Sequence, residues 1–243
     1  MSRRIVRVDD GVLRIEQRIC IRARDIGTDV SGPAGIYAQI AVKRGSVAYI
    51  TGDTRVPVPA CCELFLPPFA VVQALLERCE VTTVAVAFRA PYWLRQEPVL
   101  VPVNHHGDVR SPEHILERLS VAENATYIGR APDPAPLASR AKAILDAEYA
   151  NPLEIGRIAA RLRTPPAVLS RTFKSSFGMP PVRYRHHVRI MDALMQFADG
   201  GVPLDVFQDV GFDDLSRFYK VFRKIACTAP GSYRPAKSRT AKT

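Results

Sequence analysis

One pattern occurs twice in the carboxy-terminal half of the sequence. Residues 169–174 (Leu-Ser-Arg-Thr-Phe-Lys) correspond to residues 218–223 (Phe-Tyr-Lys-Val-Phe-Arg), 49 positions further on. Each copy has an apolar residue, a cation two places later, a second apolar residue after four places and another cation next to it. Each copy is followed by a proline and a tyrosine, at positions 181 and 184 and again at 230 and 233. The repeat predicts a duplicated structural unit.

Apolar residues upstream of each copy predict a further helix in each unit. Ile155, Ile158 and Leu162 have helical spacing, and Val206 and Val210 repeat two of them at an offset of 48. The one-residue difference falls where a turn is expected, so each unit is predicted to be a helix–turn–helix. The predicted supporting helix, turn and second helix are 153–162, 163–165 and 166–176 in the first unit. In the second unit they are 203–210, 211–213 and 214–224, with Asp213 as N-cap.

The second helix of each unit has a polar face opposite an apolar stripe. Leu169 and Phe173 form the stripe in the first unit, and Phe218 and Phe222 form it in the second. Such a helix fits the DNA major groove, where arginine commonly binds guanine. On one isolated helix this face would more often be solvated surface, but its recurrence favours DNA binding. The outward residues are Ala167, Ser170, Arg171 and Lys174, then Leu215, Ser216, Arg217, Lys220 and Arg223.

We call the second helix of each unit, which is predicted to face the DNA bases, its reading helix. Two residues at the start of the second unit's reading helix could have roles besides base reading. Leu215 could contact a thymine methyl group, and packing on a neighbouring helix is an equal alternative. Asp214 is predicted to have a structural role, because the N-terminus of a helix favours an acidic residue.

A long helix at residues 182–198 is predicted to separate the two units as a rigid spacer. Adjacent major grooves on one face of a duplex lie about 34 Å apart, so a reader of two grooves needs such a spacer. The spacer is predicted to add positive charge, and its two histidines are predicted to face solvent or phosphate. The residues concerned are Arg183, Arg185, His186, His187 and Arg189.

The charge of the chain is concentrated on the repeated half. Residues 131–243 contain 18 lysines and arginines against 10 acids, net +8, whereas residues 1–130 are net +2. This asymmetry favours a polyphosphate partner. Five cysteines without CxxC spacing indicate neither a disulfide framework nor a zinc site. No signal peptide and no apolar run long enough to span a membrane are present, so a soluble cytoplasmic protein is expected.

The amino-terminal half reads as short strands separated by glycine and proline turns. Strand-like runs extend from about residue 12 to 92, with a turn at 43–46 and a helix near 71–79, and indicate a small sandwich or barrel. A helix is predicted at 111–119, and the alternating prolines of 131–136 indicate a linker. The chain therefore divides into a β-rich domain at 1–130 and a helical domain at 137–243, which begins with a helix at 137–150.

The sequence contains none of the common catalytic or nucleotide-binding motifs that we considered. There is no Walker A, G-x-S-x-G, H-E-x-x-H or G-x-G-x-x-G sequence, and all five histidines lie beyond the predicted strands. We therefore expect no catalytic residue, no metal and no cofactor. Arg89, Tyr92 and Trp93 could line a pocket, with packing or rim positions as the alternative. No effector-binding residue can be assigned.

At its repeated half the sequence resembles the AraC/XylS family of bacterial transcriptional regulators. The resemblance covers residues 137–235, and its strongest parts are 169–174, 177–181, 210–212, Phe218, Phe222 and 230–233. It implies an α+β chain, with a cupin-like barrel that senses a small molecule, dimerises, or both. It implies that the two reading helices enter successive major grooves of double-stranded DNA. The base-facing positions would be Ala167, Ser170, Arg171, Leu215, Ser216, Arg217 and Lys220.

The sequence departs from that family at several positions. Pro165 replaces a capping serine, Arg163 replaces a turn glycine, and Phe207 stands where a small residue is usual. The second unit ends in Ala226-Cys227 without the Phe-Gly-Met of the first. Together these departures affect the expected docking geometry of the second unit on DNA more than that of the first.

The leading hypothesis is a sequence-specific, effector-responsive DNA-binding regulator, with RNA polymerase and a second copy of the chain as candidate partners. One alternative is a cupin-like binding protein or enzyme whose helical half contacts proteins. Another is a regulator controlled by a protein partner, in which the barrel interior would be filled.

Overall fold

A computed structural model describes residues 2–9, 12–51, 54–88, 97–106, 126–128 and 135–232. Its amino-terminal domain is an antiparallel sheet whose strands alternate apolar and polar residues, as expected of a half-buried sheet. The strands are β1 (Ser2–Asp9), β2 (Val12–Cys20), β3 (Arg24–Val30), β4 (Gly35–Thr51), β5 (Thr54–Pro57), β6 (Cys61–Leu66), β7 (Val71–Phe88), β8 (Val99–Pro102) and β9 (Thr126–Tyr127).

The long strands β4 and β7 organise this domain. Their pairing forms the centre of the order β1-β2-β7-β4-β6-β8-β9, while β3 pairs with the first half of β7 and β5 with the second half of β4. Both long strands bend at their middle, so the two halves of the sheet face each other. Ile15 and Ala85 of one half and Val47 and Val72 of the other line the same interior. The predicted β-rich, cupin-like architecture is confirmed at the level of an antiparallel β-sheet domain.

Two local predictions are wrong in this domain. Residues 71–79 form a strand instead of a helix, because β3 and β4 both pair with them and supply backbone hydrogen bonds on each side. Residues 43–46 are a bulge within β4 instead of a turn. Gly45 takes a left-handed φ of 77° there, and Arg78 opposite it takes 43°.

The carboxy-terminal domain contains six α-helices in the described residues. They are α1 (Pro136–Glu148), α2 (Ile155–Arg161), α3 (Pro166–Phe177), α4 (Pro181–Ala198), α5 (Pro203–Asp209) and α6 (Leu215–Ala226), followed by a 3₁₀ turn at Pro230–Ser232. Every helix predicted in this domain is present, with bounds shifted by a few residues. The predicted helix at 111–119 and most of the 131–136 linker lie outside the described residues. No helix of the described chain is both long enough and apolar enough to cross a membrane.

The sheet packs against α1, α3 and α4 through strand residues and through two loops. Buried Ser31 joins these loops, because its hydroxyl donates to the Pro67 carbonyl and accepts from the Ala70 amide. One loop places Gly32 against Met191 of α4. The other places Phe69 against Tyr149 at the end of α1, with 6.2 Å between ring centroids. The two domains are therefore in direct apolar contact.

Candidate nucleic-acid interface

The reading helix of the first unit, α3, is held by its apolar stripe. Leu169 and Phe173 are fully buried, and the Phe173 ring lies 5.6 Å from that of Tyr184 on α4. This packing fixes which face of α3 turns outward. Ala167, Arg171 and Lys174 are exposed and Ser170 is half-buried on the outward side.

The turn and ends of α3 explain how the unusual residues of the first unit are tolerated. Arg163 adopts φ 52°, the left-handed conformation that a glycine would take more readily. Pro165 precedes the helix without any side-chain cap, and Pro166 occupies the first turn, where its missing N–H costs nothing. Gly178 ends the helix at φ 71°, and its N–H donates to the Lys174 carbonyl.

The reading helix of the second unit, α6, repeats this arrangement. Phe218 and Phe222 are fully buried, with 5.5 Å between their rings. Phe207 of α5 is half-buried and its ring lies 6.4 Å from Phe218, so the large residue is accommodated at the edge of the core. On the outward side Ser216, Arg217, Lys220 and Arg223 are exposed or half-buried.

The cap of α6 is one residue later than predicted. Asp214, not Asp213, is the N-cap, and its carboxylate accepts hydrogen bonds from the backbone of Ser216 and Arg217 at 3.0 Å each. Asp213 has the same side chain, so the backbone conformation alone decides which of the two aspartates caps the helix. At the other end Cys227 adopts φ 60°, 49 residues after Gly178, which has the same role in the first unit.

A shallow concavity of about 610 Å³ lies on the outward face of α6. Leu215 lines it and also packs in part against the core, so the packing alternative is observed and the contact with a thymine methyl group stays a prediction. Tyr219 lines it as well, although it was not among the residues predicted to face outward. Its position four residues after Leu215 was the available signal. The complete lining is Leu215, Ser216, Tyr219, Lys220 and Arg223.

The spacer helix α4 adds less positive charge to the surface than predicted. Arg189 is only 5% exposed, and its guanidinium donates to the carbonyls of Tyr149 and Asn151 at 2.6 and 3.0 Å. Burial lowers its pKa to about 10, with a smaller contribution from neighbouring cations. Arg185 donates to the Leu153 carbonyl. Both arginines therefore bind the loop between α1 and α2.

His186 also differs from its predicted position. Its ring is half-buried and stacks on Phe212 in the turn of the second unit, with centroids 5.9 Å apart and planes inclined by 21°. Burial, and then the nearby positive charges headed by Arg217, lower the pKa of His186 to about 4. The imidazole is therefore neutral near pH 7 and serves as an aromatic packing element.

The second unit meets the loop that precedes the first. Gly211, at φ 89°, lies so close to the Ala150 backbone that any β-carbon would overlap the Ala150 carbonyl group. Ala150 belongs to the same loop that Arg189 holds, and the Arg189 guanidinium also lies 5.3 Å above the Phe212 ring. The second unit is thus anchored on the first through one compact junction.

A cavity of about 630 Å³ lies between the two halves of the sheet. Its walls are mostly aliphatic, and its polar groups include Tyr49, whose phenol pKa is raised by burial. Thr28 pairs with Gln73 across β3 and β7, and Gln73 lies beside Gly178. Gly178 and Arg183 of the helical domain complete the lining. The cavity therefore reaches the end of α3 and the start of α4.

The described residues contain no cluster of three or more His, Cys, Asp or Glu side chains suited to a metal ion. His106 instead contacts the Cys61 sulfur at 3.3 Å and the Ile40 carbonyl at 3.1 Å. The pocket candidates Arg89, Tyr92 and Trp93 lie outside the described residues.

Comparison with known proteins gives one family match in the helical half and several structural similarities. A helix-turn-helix domain family matches residues 158–236. No curated protein matches the sequence. ToxT from Vibrio cholerae O395, crystallised with (E)-4-(8-methylnaphthalen-1-yl)but-3-enoic acid, is 14% identical over 96% of this chain and 97% of its own, with a TM-score of 0.50.

Two further solved structures match the helical half alone. The C-terminal domain of AraT, a response regulator from Geobacillus stearothermophilus, is 21% identical over 45% of this chain and 96% of its own, with a TM-score of 0.40. A DNA-binding transcriptional dual regulator from Escherichia coli K-12 is 22% identical over 43% of this chain and 94% of its own, with a TM-score of 0.37.

Proposed function

We propose that this chain is an AraC/XylS-type DNA-binding regulator, which reads a specific operator with α3 and α6 and responds to a small apolar acid. The match of residues 158–236 to a helix-turn-helix domain family supports the DNA-binding part of this proposal. A chain of this class acts on double-stranded DNA, with the two helices in successive major grooves. RNA polymerase and a second copy of the chain are the further partners proposed.

The repeated cationic face is the observation that carries the DNA-reading proposal. Arg171 and Lys174 on α3 match Lys220 and Arg223 on α6 by the 49-residue repeat, and none of the four is buried. The buried phenylalanines beneath them orient each face, so the cations are positioned by the core. Arginine and lysine on such a face can bind guanine edges and phosphates.

The proposed base contacts are the side chains that point away from the two cores. They are Ala167, Ser170, Arg171 and Lys174 on α3, and Leu215, Ser216, Arg217, Lys220 and Arg223 on α6. Ser170 and Leu215 are half-buried, so their contacts would be limited to close approach of the DNA.

The cavity supports an effector. Its volume of about 630 Å³ is within the usual range for small-molecule sites, which span roughly 300–1,000 Å³. The alternative of control by a protein partner alone called for a filled barrel interior, so this cavity supports effector sensing over that alternative. ToxT was crystallised with an apolar carboxylic acid. By analogy we assign the effector to that chemical class. Arg183 is the one cation among the described lining residues, which also include Asp25 and Asp29, and it is the group that would pair with the carboxylate.

Selection of bound sequences from random duplexes tests operator reading. Arg171→Ala and Arg217→Ala are each expected to cost about 1–3 kcal/mol on the selected site and to relax preference at one base position. Arg140→Ala, on α1 and outside both reading faces, is the matched control. Equal loss on specific and random DNA would contradict base reading by these arginines.

Calorimetric titration with an unsaturated fatty acid, and with its uncharged methyl ester, tests the effector class. Saturable binding of the acid that weakens on esterification and on Arg183→Gln is expected. A carboxylate-bearing effector at this position would be contradicted if neither the acid nor the ester bound. It would also be contradicted if Arg183→Gln and the original protein bound the acid and the ester with the same affinity.

A further inference from the structure

The double bend of β4 and β7 brings several arginines together at the end of the sheet that lies away from the helices. Strand β3 shows the direction, since Val30 at one end packs with the helical core and Arg24 at the other lies beside Glu77. At the bend Gly45 approaches the Glu77 carbonyl closely, and a β-carbon there would come within 2.6 Å of it. The bulge places Arg44 opposite Glu80 and Gly45 against the backbone of Arg78.

These residues surround a pocket of about 360 Å³, which we call the arginine pocket. It is lined by Cys20, Ile21, Arg22, Arg44, Arg78, Cys79 and Glu80. Three of these seven side chains are cationic and one is acidic, so the lining has a net charge of +2. The arginine pocket is separate from the cavity inside the sheet, whose lining shares only Ile21 with it.

The one acid of the arginine pocket is already engaged. The Glu80 carboxylate accepts a hydrogen bond from Arg18 at 2.7 Å and lies 3.6 Å from Arg44. These cations, Arg18 above all, lower the pKa of Glu80. Among the described residues neither Arg22 nor Arg78 has a carboxylate within ion-pairing distance. Two guanidinium groups therefore face the same concavity without a counter-charge.

Arg78 is also held in an unusual backbone conformation. Its φ of 43° lies in the left-handed region, which glycine adopts more readily than residues with a side chain. Strained residues of this kind persist where the surrounding structure fixes them, and they cluster at binding sites.

We infer that the arginine pocket binds a small doubly charged oxyanion of the phosphate-ester class. Guanidinium groups form paired hydrogen bonds with phosphate oxygens, and several of them around one concavity offset the charge of a dianion. The size of the pocket suits a phosphorylated small molecule. A DNA duplex would be too broad to enter it, and the reading helices belong to the other domain.

Calorimetric titration of the full chain with glycerol 3-phosphate, a phosphate monoester, at constant ionic strength and without DNA tests this site. Arg78→Gly is the informative variant, because glycine accepts a positive φ and should leave the protein folded and no less stable. We expect saturable binding that weakens by about tenfold or more in Arg78→Gly and in Arg22→Gln. Arg55→Gln, an exposed arginine of β5 outside the pocket, is the matched control and should change affinity by less than about twofold.

Three results would overturn the site. The first is a lack of saturable binding, and the second is unchanged affinity in Arg78→Gly. The third is loss of binding in Arg217→Ala with Arg78→Gly unaffected, since the anion would then occupy the DNA-reading face. Thermal unfolding of each variant confirms that a loss of affinity does not reflect a loss of fold.

Discussion

The Gln73 side chain lies against the backbone of Gly178, so a wall of the cavity inside the sheet touches the end of α3. A β-carbon on Gly178 would come within 2.7 Å of the Gln73 amide carbon. Gly178 is also the C-cap of α3 and is followed closely by the start of α4. A ligand that displaces Gln73 would therefore act directly on the segment that joins α3 to the spacer helix.

Gly178→Ala should destabilise the protein by about 1–3 kcal/mol, because alanine is strained at φ 71° and its β-carbon meets Gln73. Gly200→Ala is the control, since Gly200 also has a positive φ but a β-carbon there would have no atom within 4 Å. Urea unfolding of both single variants and of the double variant Gly178→Ala/Gln73→Ala separates the cost of backbone strain from the cost of the contact with Gln73. Equal losses in Gly178→Ala and Gly200→Ala would show that the Gln73 contact is unimportant.

Gly211→Ala should weaken operator binding strongly, because its β-carbon would force the second unit away from Ala150. We expect loss of simultaneous contact with both half-sites, measured as a drop in affinity for the full operator. Affinity for the half-site read by α3 should change little. Gly156→Ala on α2 has open space around it and should leave both affinities unchanged while raising helix stability slightly. Parallel loss on both DNA targets would point to global unfolding instead.

Asp214→Ala should cost about 1 kcal/mol of stability, because two backbone N–H groups of α6 lose their acceptor. Asp213→Ala removes the same carboxylate one position earlier, where it does not cap the helix. Chemical denaturation should therefore show a clear loss for the first variant and a change below about 0.5 kcal/mol for the second. The reverse order would contradict the observed cap.

Stability should decrease as the pH falls from about 6.5 toward 4, because of His186. The folded protein lowers the pKa of this imidazole, so the unfolded chain binds a proton that the folded chain excludes in that window. Above pH 6.5 both states are neutral and the contribution is complete. Since the ring is only half-buried, we expect about 1–2 kcal/mol.

Urea unfolding at pH 7 and pH 5 measures this effect. His186→Phe keeps the stacking on Phe212 and should flatten the pH dependence, whereas His105→Gln in the sheet domain should preserve it. An unchanged slope in His186→Phe would assign the acid sensitivity to other groups.

Arg189→Met should destabilise the protein by about 2–4 kcal/mol, since the carbonyls of Tyr149 and Asn151 lose their buried donor. Arg171→Met, an exposed arginine on α3, should instead change DNA affinity with little effect on stability. Thermal unfolding and DNA titration of both variants provide the comparison. If Arg171→Met lost stability and Arg189→Met did not, the structural role of Arg189 and the DNA-reading role of Arg171 would both be contradicted.

The sequence by itself determined the helical half, because its evidence is local and repeated. Leu169 and Phe173 recur as Phe218 and Phe222, and a stripe with helical spacing fixes both the helix and its outward face. The repeat also aligned Gly178 with Cys227, which proved to share one backbone conformation. The face of each reading helix could therefore be predicted without knowledge of the neighbouring helices.

Tertiary structure alone decided the features that depend on partners distant in sequence. Residues 71–79 are apolar enough for either a helix or a strand, and pairing with β3 and β4 selected the strand. Arg189 and His186 look like surface charges on an isolated helix, but the α1–α2 loop and Phe212 cover them. The cavity inside the sheet and the arginine pocket form only when β4 and β7 fold together, since each gathers residues that are far apart along the chain.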